Sequence, residues 1–218
     1  MAINFHTVTH QICKVLKKFP KNLDGKTCIL EMKKNNSNKW RQMEWIGFYL
    51  EYWCNENLKK IMQMPCPKKY GRVSFDGYLD FPWDFKCHVI EAGDKIIVND
   101  SEAISNAVKE HGFIGIILVI GNATYDNVGQ EFKKWHDKLK GDRTEFVIKR
   151  INRGAISRKR KISLSVSKIL FIKIDQNLLS ECDAFQKNFR NANGMPRRNK
   201  VLLDLSKIQN NTEYIIEY

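Results

Sequence analysis

The chain has 218 residues, 43% of them apolar and 28% charged, enough for one well-packed domain spanning 1–218. It contains no run of 18 apolar residues, so no membrane-spanning helix is expected. Its opening Met-Ala-Ile-Asn-Phe-His lacks the basic-then-apolar pattern of a secretory signal, so a cytoplasmic address is expected. The net charge is +13 and unevenly placed: residues 149–200 hold 14 Lys and Arg against 3 Asp and Glu, the rest 23 against 21. A concentrated basic segment on a nearly neutral body points to a polyanion partner.

Along the chain, Phe5, Val8, Ile12, Val15, Leu16 and Phe19 recur with helical period over 3–19, ending before Pro20. Residues 26–33 fit a strand or a short helix, and Asn35-Asn36-Ser37-Asn38 a loop. Residues 40–62 read as a helix that is apolar on most sides and therefore buried. Pro65-Cys66-Pro67 breaks it. Strands are expected at 72–79, 83–90 and 94–98, forming an antiparallel meander with turns at Asp80–Pro82 and Ala92–Asp94. Asn99-Asp100-Ser101-Glu102 caps a helix at 101–111. The apolar run 113–120 reads as an interior strand buried on both faces. A helix at 127–140, strands at 144–151 and 168–174, a helix at 176–190 and a turn at 191–196 complete the pattern. The six cysteines form no C-x-x-C pair and read as reduced, mostly buried thiols.

The stretch richest in chemistry is Phe75-Asp76-Gly77-Tyr78-Leu79-Asp80-Phe81-Pro82-Trp83-Asp84-Phe85-Lys86-Cys87-His88. Side chains alternate along a strand, so Asp84, Lys86 and His88 share one face, while Trp83, Phe85 and Cys87 share an apolar one. Carboxylates pinned beside an ammonium suit phosphodiester hydrolysis: the acids hold a hard divalent cation, and the Lys steadies an attacking water or the developing charge. Asp76 stands as the first acid, with Asp80 the rival whose neighbours favour a turn. In the preceding helix Glu51 is set among apolar residues, where a carboxylate either pairs with a cation or a metal or faces solvent on a thin polar stripe. Glu44, seven residues earlier, is its alternative. His88 has either a phosphate-contacting or a structural role. His136 reads as helix surface.

These residues resemble the PD-(D/E)xK nuclease superfamily, and within it the type II restriction endonucleases. The resemblance covers about 40–120 and rests on Asp76, on Asp84-Phe85-Lys86, and on Glu51 in the preceding helix. Phe75 stands where the family commonly has Pro. Stretches 132–137 and 189–197 add a fainter similarity. The resemblance implies an α/β (α+β) fold with an αβββαβ core: a mixed central sheet flanked by helices, here with a basic C-terminal extension. It further implies Mg²⁺ held by Asp76, Asp84 and Glu51, with Lys86 orienting the water. A homodimer would cut double-stranded DNA sequence-specifically, leaving 5′-phosphates, in a bacterial or archaeal cytoplasm. A cognate DNA methyltransferase is expected genetically rather than as a bound partner.

For DNA contact, the basic run Arg153, Arg158, Lys159, Arg160 and Lys161 suits phosphates, and the set Arg190, Asn193, Arg197, Arg198 and Lys200 suits base edges. Two other readings stay open: a structure-selective or nicking nuclease of the same core, and a DNA-binding protein without catalysis.

Overall fold

A computed structural model describes residues 4–141, 159–185 and 195–218, with single positions at 148, 152 and 154. Helix α1 (Phe5–Leu16) is capped by Asn4, whose side chain accepts the His6 amide. A short strand β1 (Asn22–Asp24) runs directly into α2 (Gly25–Lys34), where Asp24 caps the Thr27 amide. Residues 26–33 are therefore helical. A 3-10 turn at Asn38–Arg41 leads to α3 (Trp45–Leu58), so the stretch expected as one helix over 40–62 is split. The small hairpin β2 (Lys69–Tyr70) and β3 (Val73–Ser74) precedes β4 (Gly77–Leu79) and β5 (Phe81–Val89). After β6 (Lys95–Asp100), α4 (Ser101–His111) ends on Gly112 in the left-handed region and passes into β7 (Phe113–Tyr125). Then come α5 (Glu131–Lys140), β8 (Lys161–Asp175), α6 (Gln176–Glu181), β9 (Asp183–Phe185), β10 (Lys200–Asp204) and β11 (Thr212–Glu217).

The central sheet is mixed. Its order is β1-β8-β7-β5-β4, with β11 sharing the outer edge of β8 with β1. β5 and β7 run parallel in register from Trp83 opposite Gly115 to Val89 opposite Gly121; the other pairings are antiparallel. The expected meander fails at its third strand. β6 leaves the central sheet and joins β10 and β9 in a second, three-stranded sheet. Its alternation, with Ile96 and Val98 buried, needs only one covered face, and β10 supplies the partner edge. β8, at 15 residues, is far longer than the expected 168–174 because its apolar stretch is followed back by a two-sided pairing with β7 and β1. The expected strand at 144–151 and turn at 191–196 lie outside the described residues, apart from isolated positions. The expected helix over 176–190 ends at Glu181, and β9 follows.

One core lies between α1, α2, α3 and one sheet face, with Trp83 stacked on Phe5 (centroids 5.5 Å apart) and close to Phe81. A second lies on the opposite face, under α4, α6 and the small sheet. β7 feeds both: Ile114, Ile116, Leu118 and Ile120 point to one, Ile117 and Val119 to the other. His136 is a correction to the sequence reading: it is buried at 1% exposure, with Nε2 2.8 Å from the Trp40 carbonyl oxygen and Phe132 and Trp135 around it. Its period within α5 places it beside Phe132, on the inward face. All six cysteines are unpaired, and burial pushes every thiol up, Cys28 and Cys87 to about 12. No helix among the described residues is long and apolar enough to cross a membrane.

Two glycines make a test of this packing. A side chain at Gly115 would run into the Trp83 ring, whereas Gly47 in α3 has open space around its missing Cβ. Gly115→Ala is expected to destabilise by about 1–3 kcal/mol through overpacking. Gly47→Ala should be neutral or add up to about 1 kcal/mol by helix propensity. Urea unfolding of both variants checks this. His136 gives a pH signature: burial, against the pull of the Trp40 carbonyl, lowers its pKa to about 4. The unfolded chain then binds the proton first, so stability is complete above about pH 6.5 and lost as pH falls toward 4. About 3 kcal/mol should be lost across that window, and most of that dependence should vanish in His136→Gln, as read by melts at successive pH values.

Candidate active site

β4 pairs with β5 only through Gly77 opposite Trp83, Tyr78 opposite Pro82 and Leu79 opposite Phe81. Beyond Trp83 the β4 side of β5 pairs with no strand among the described residues, and an unsatisfied amide there would cost free energy. Asp76, the residue just before β4, supplies the partner: its Oδ2 accepts the Phe85 amide at 2.6 Å. A carboxylate thus stands where the chain's hydrogen-bond ladder stops.

Around this open edge four charged groups gather. Phe81, Trp83 and Phe85 lie in the core shared with α3, so Asp84 and Lys86 point to the opposite face. Asp84 is buried at 2% exposure, and its Oδ2 lies 2.6 Å from the Lys86 ammonium. Asp84 Oδ1 also accepts the side-chain amide of Asn99, from β6, at 3.4 Å; Asn99 is held in place because its own Oδ1 accepts the Asp100 amide at 2.8 Å. On the α3 side, Asp76 and Glu51 line one cleft of about 440 Å³ together with Lys39, Tyr52, Asn55 and Phe85. Glu51 is ion-paired there with Lys39 from the 3-10 turn.

The electrostatics follow from this crowding. Burial holds the Asp76 carboxyl well above the ordinary carboxylate range; Asp84 and Glu51 push it the same way, while Lys86 and the Phe85 amide oppose them. Burial alone would lower the Lys86 pKa, but Asp84, Asp76 and Glu51 outweigh it and hold the ammonium above its usual value. Lys86 is therefore a fixed cation at neutral pH. Among the described residues, no three His, Cys, Asp or Glu side chains stand together as a ready metal cage. The reason is visible in the layering: Asp76 and Glu51 approach from the α3 side of the edge, Asp84 from the other.

The remaining sequence candidates are dispersed. Asp80 is exposed at φ 60°, a turn residue between β4 and β5. Glu44 sits just ahead of α3 and bonds Lys161 at 2.7 Å, away from Glu51's cleft. His88 lies 2.6 Å, through Nε2, from the Gly93 carbonyl, which fixes the following turn. Lys159 and Arg197 are exposed, whereas Arg160 is buried and engaged within the protein. Arg198 and Lys200 both ion-pair with Asp100, which is buried at 2% exposure; its one negative charge offsets only one of the two cations, and Arg198 stays exposed. Arg153, Arg158, Arg190 and Asn193 lie outside the described residues. Sequence reasoning missed Lys39, Asn99 and the Asp100 cluster. Asn99 and Asp100 read as a helix cap, yet Asp100 makes no side-chain cap bond, and nothing in the local pattern links Asn99 to Asp84.

With this geometry in place, comparison with known proteins adds nothing: the chain matches no protein-family model, no curated protein and no solved structure.

Asp76→Asn tests the electrostatics. Its folded-state pKa is raised, so the wild type carries no penalty below the ordinary carboxylate pKa of about 4 and loses stability as pH rises from there through the folded value. The amide variant keeps an oxygen for the Phe85 N–H without the charge. In metal-free buffer Asp76→Asn should be more stable than wild type at pH 8 and indistinguishable near pH 3.5. Equal stability at both pH values would remove the crowding of charge at this edge.

Proposed function

We propose that this chain is a Mg²⁺-dependent DNA endonuclease of PD-(D/E)xK type, hydrolysing phosphodiester bonds in double-stranded DNA as a type II restriction enzyme does. The observation that carries the reading is the convergence of Asp76, Asp84 and Lys86 on the unpaired edge of β5, with Glu51 facing Asp76 across the cleft. The order α3, β4, β5, α4, β7, with β5 and β7 parallel, supports it. The departure of β6 into the small sheet is a difference from the expected core.

The donor set fits a hard divalent ion. Mg²⁺ takes one or two carboxylates and fills its remaining positions with water and substrate phosphate, so a three-acid cage is not required. Burial and the neighbouring Asp84 make Asp76 costly to ionise, and an added cation would relieve that cost. Asp76 and Asp84 would hold the ion, with Glu51 from across the cleft once Lys39 releases it. When bound, such an ion supplies Lewis acidity toward the scissile phosphate and a more acidic water. Asp84 fixes the Lys86 ammonium 2.6 Å away, where it orients the attacking water or steadies charge on the phosphoryl oxygens. In-line attack would leave a 5′-phosphate and a 3′-hydroxyl. A homodimer on a palindromic site is the simplest route to cutting both strands.

A second reading has its own support. Asp84 and Glu51 already hold ammonium partners, an arrangement that a DNA-binding protein without catalysis would tolerate.

Incubation of the protein with unmethylated plasmid and genomic DNA separates them. Discrete fragments that need Mg²⁺, vanish in EDTA and fall by at least about 100-fold in Asp84→Ala and Lys86→Ala are expected. A smear would indicate a non-specific or structure-selective nuclease. DNA that stays intact but is shifted equally by wild type and Asp84→Ala would sink the catalytic reading.

A further inference from the structure

The basic segment singled out in the sequence is not the only concentration of cations, and the structure builds another from parts far apart in the chain. On α2, Lys26, Lys33 and Lys34 are exposed; on α5, Lys134 and Lys138 are exposed and one helical turn apart. Among the described residues none of these five has a carboxylate partner, in contrast to Lys133 and Lys140, which share Asp137.

Contacts show that the two helices and the 3-10 turn form one continuous face. Lys26 lies over the Trp135 ring of α5, 5.6 Å from its centroid. Lys33 and Arg41 lie over Trp40 at 5.0 and 5.1 Å. Arg41 donates to the Lys140 carbonyl at 3.1 Å, and the Trp40 carbonyl lies 2.8 Å from the buried His136 of α5. The same turn, Asn38–Arg41, carries Lys39 into the cleft beside Glu51 and Asp76. The face therefore ends at the candidate site.

We propose that this face of α2, the turn at Asn38–Arg41 and α5 is a polyanion-binding surface that carries a nucleic-acid backbone into the cleft. The proposal rests on the reading of that cleft as a phosphodiesterase site. Lysine ammonium groups spaced along two helices suit a string of phosphates, which gain from counterion release at each contact. The cleft itself is lined by three acids, Glu51, Glu56 and Asp76, against one cation, Lys39, which Glu51 already engages, so the cations beside the cleft set where the backbone lies. An anionic membrane fits less well. An interfacial helix must bury a broad apolar face, but the apolar faces of α2 and α5 are already in the core, leaving only Leu30 exposed between the lysines of α2.

The test compares two variants of equal charge. In one, Lys33, Lys34, Lys134 and Lys138 are all changed to Ala; in the other, Lys14, Lys17, Lys18 and Lys21, exposed at the far end of α1, are. Binding of a fluorescent 20-base-pair duplex is followed by anisotropy in EDTA over a range of salt concentrations. The first variant should lose affinity at least about tenfold, and the slope of log K against log salt should shrink by about 3–4, while the α1 variant changes far less. Equal losses in both would reduce the effect to net charge and overturn the proposal. So would wild-type binding by the first variant, or a loss confined to phosphatidylserine vesicles. The assay needs no cleavage. A wild type that binds through this face but never cuts in Mg²⁺ would sink the nuclease reading and keep the surface. A first variant that binds and cuts as wild type does would do the reverse.

Discussion

The open edge of β5 is the constraint from which the rest of the site follows. β4 is paired with β5 over three residues, and among the described residues the Phe85 amide has no strand to donate to. A backbone group in that position must be satisfied, and the Asp76 carboxylate does so. The same short strand that brings Asp76 to the edge also leaves room there for Lys86 and for the cleft under α3. Had β4 continued, a strand would cover the place where the charged groups meet.

Charge is then distributed across two layers rather than in one pocket. Asp84 and Lys86 belong to the face that also receives Asn99 from the small sheet; Asp76 and Glu51 belong to the α3 side. Each acid has acquired a local partner: Lys86 for Asp84, Lys39 for Glu51, the Phe85 amide for Asp76. Acids held wholly or partly out of water require this. Asp76 is nevertheless left with its neutral form favoured, because Lys86 and one backbone amide do not offset burial and two neighbouring acids.

The protein also uses its cations in two distinct ways. Arg198, Lys200 and Lys161 are tied to carboxylates and Arg160 is buried, although the sequence groups them in its most basic stretch. Lysines of α2 and α5, two ten-residue segments of net charge +2 each, remain exposed on one face. Charge density along the chain therefore differs from charge density on the surface, since ion pairs such as those of Arg198 and Lys200 with Asp100 offset part of the basic stretch's charge.

Local pattern determined a good deal by itself. The helical period of α1, the apolar run of β7, the Gly112 stop after α4 and the alternation that sets Asp84 and Lys86 opposite Trp83 and Phe85 all depend on neighbours within a few residues, which is what sequence spacing encodes. Tertiary structure alone decided which edges pair. It sent β6 to β10 instead of β5, extended β8 to 15 residues, buried His136 and tied Glu51 to Lys39. These outcomes turn on contacts between segments from about ten to more than a hundred residues apart, and a strand edge or an inward helix face carries no mark of the partner that will cover it.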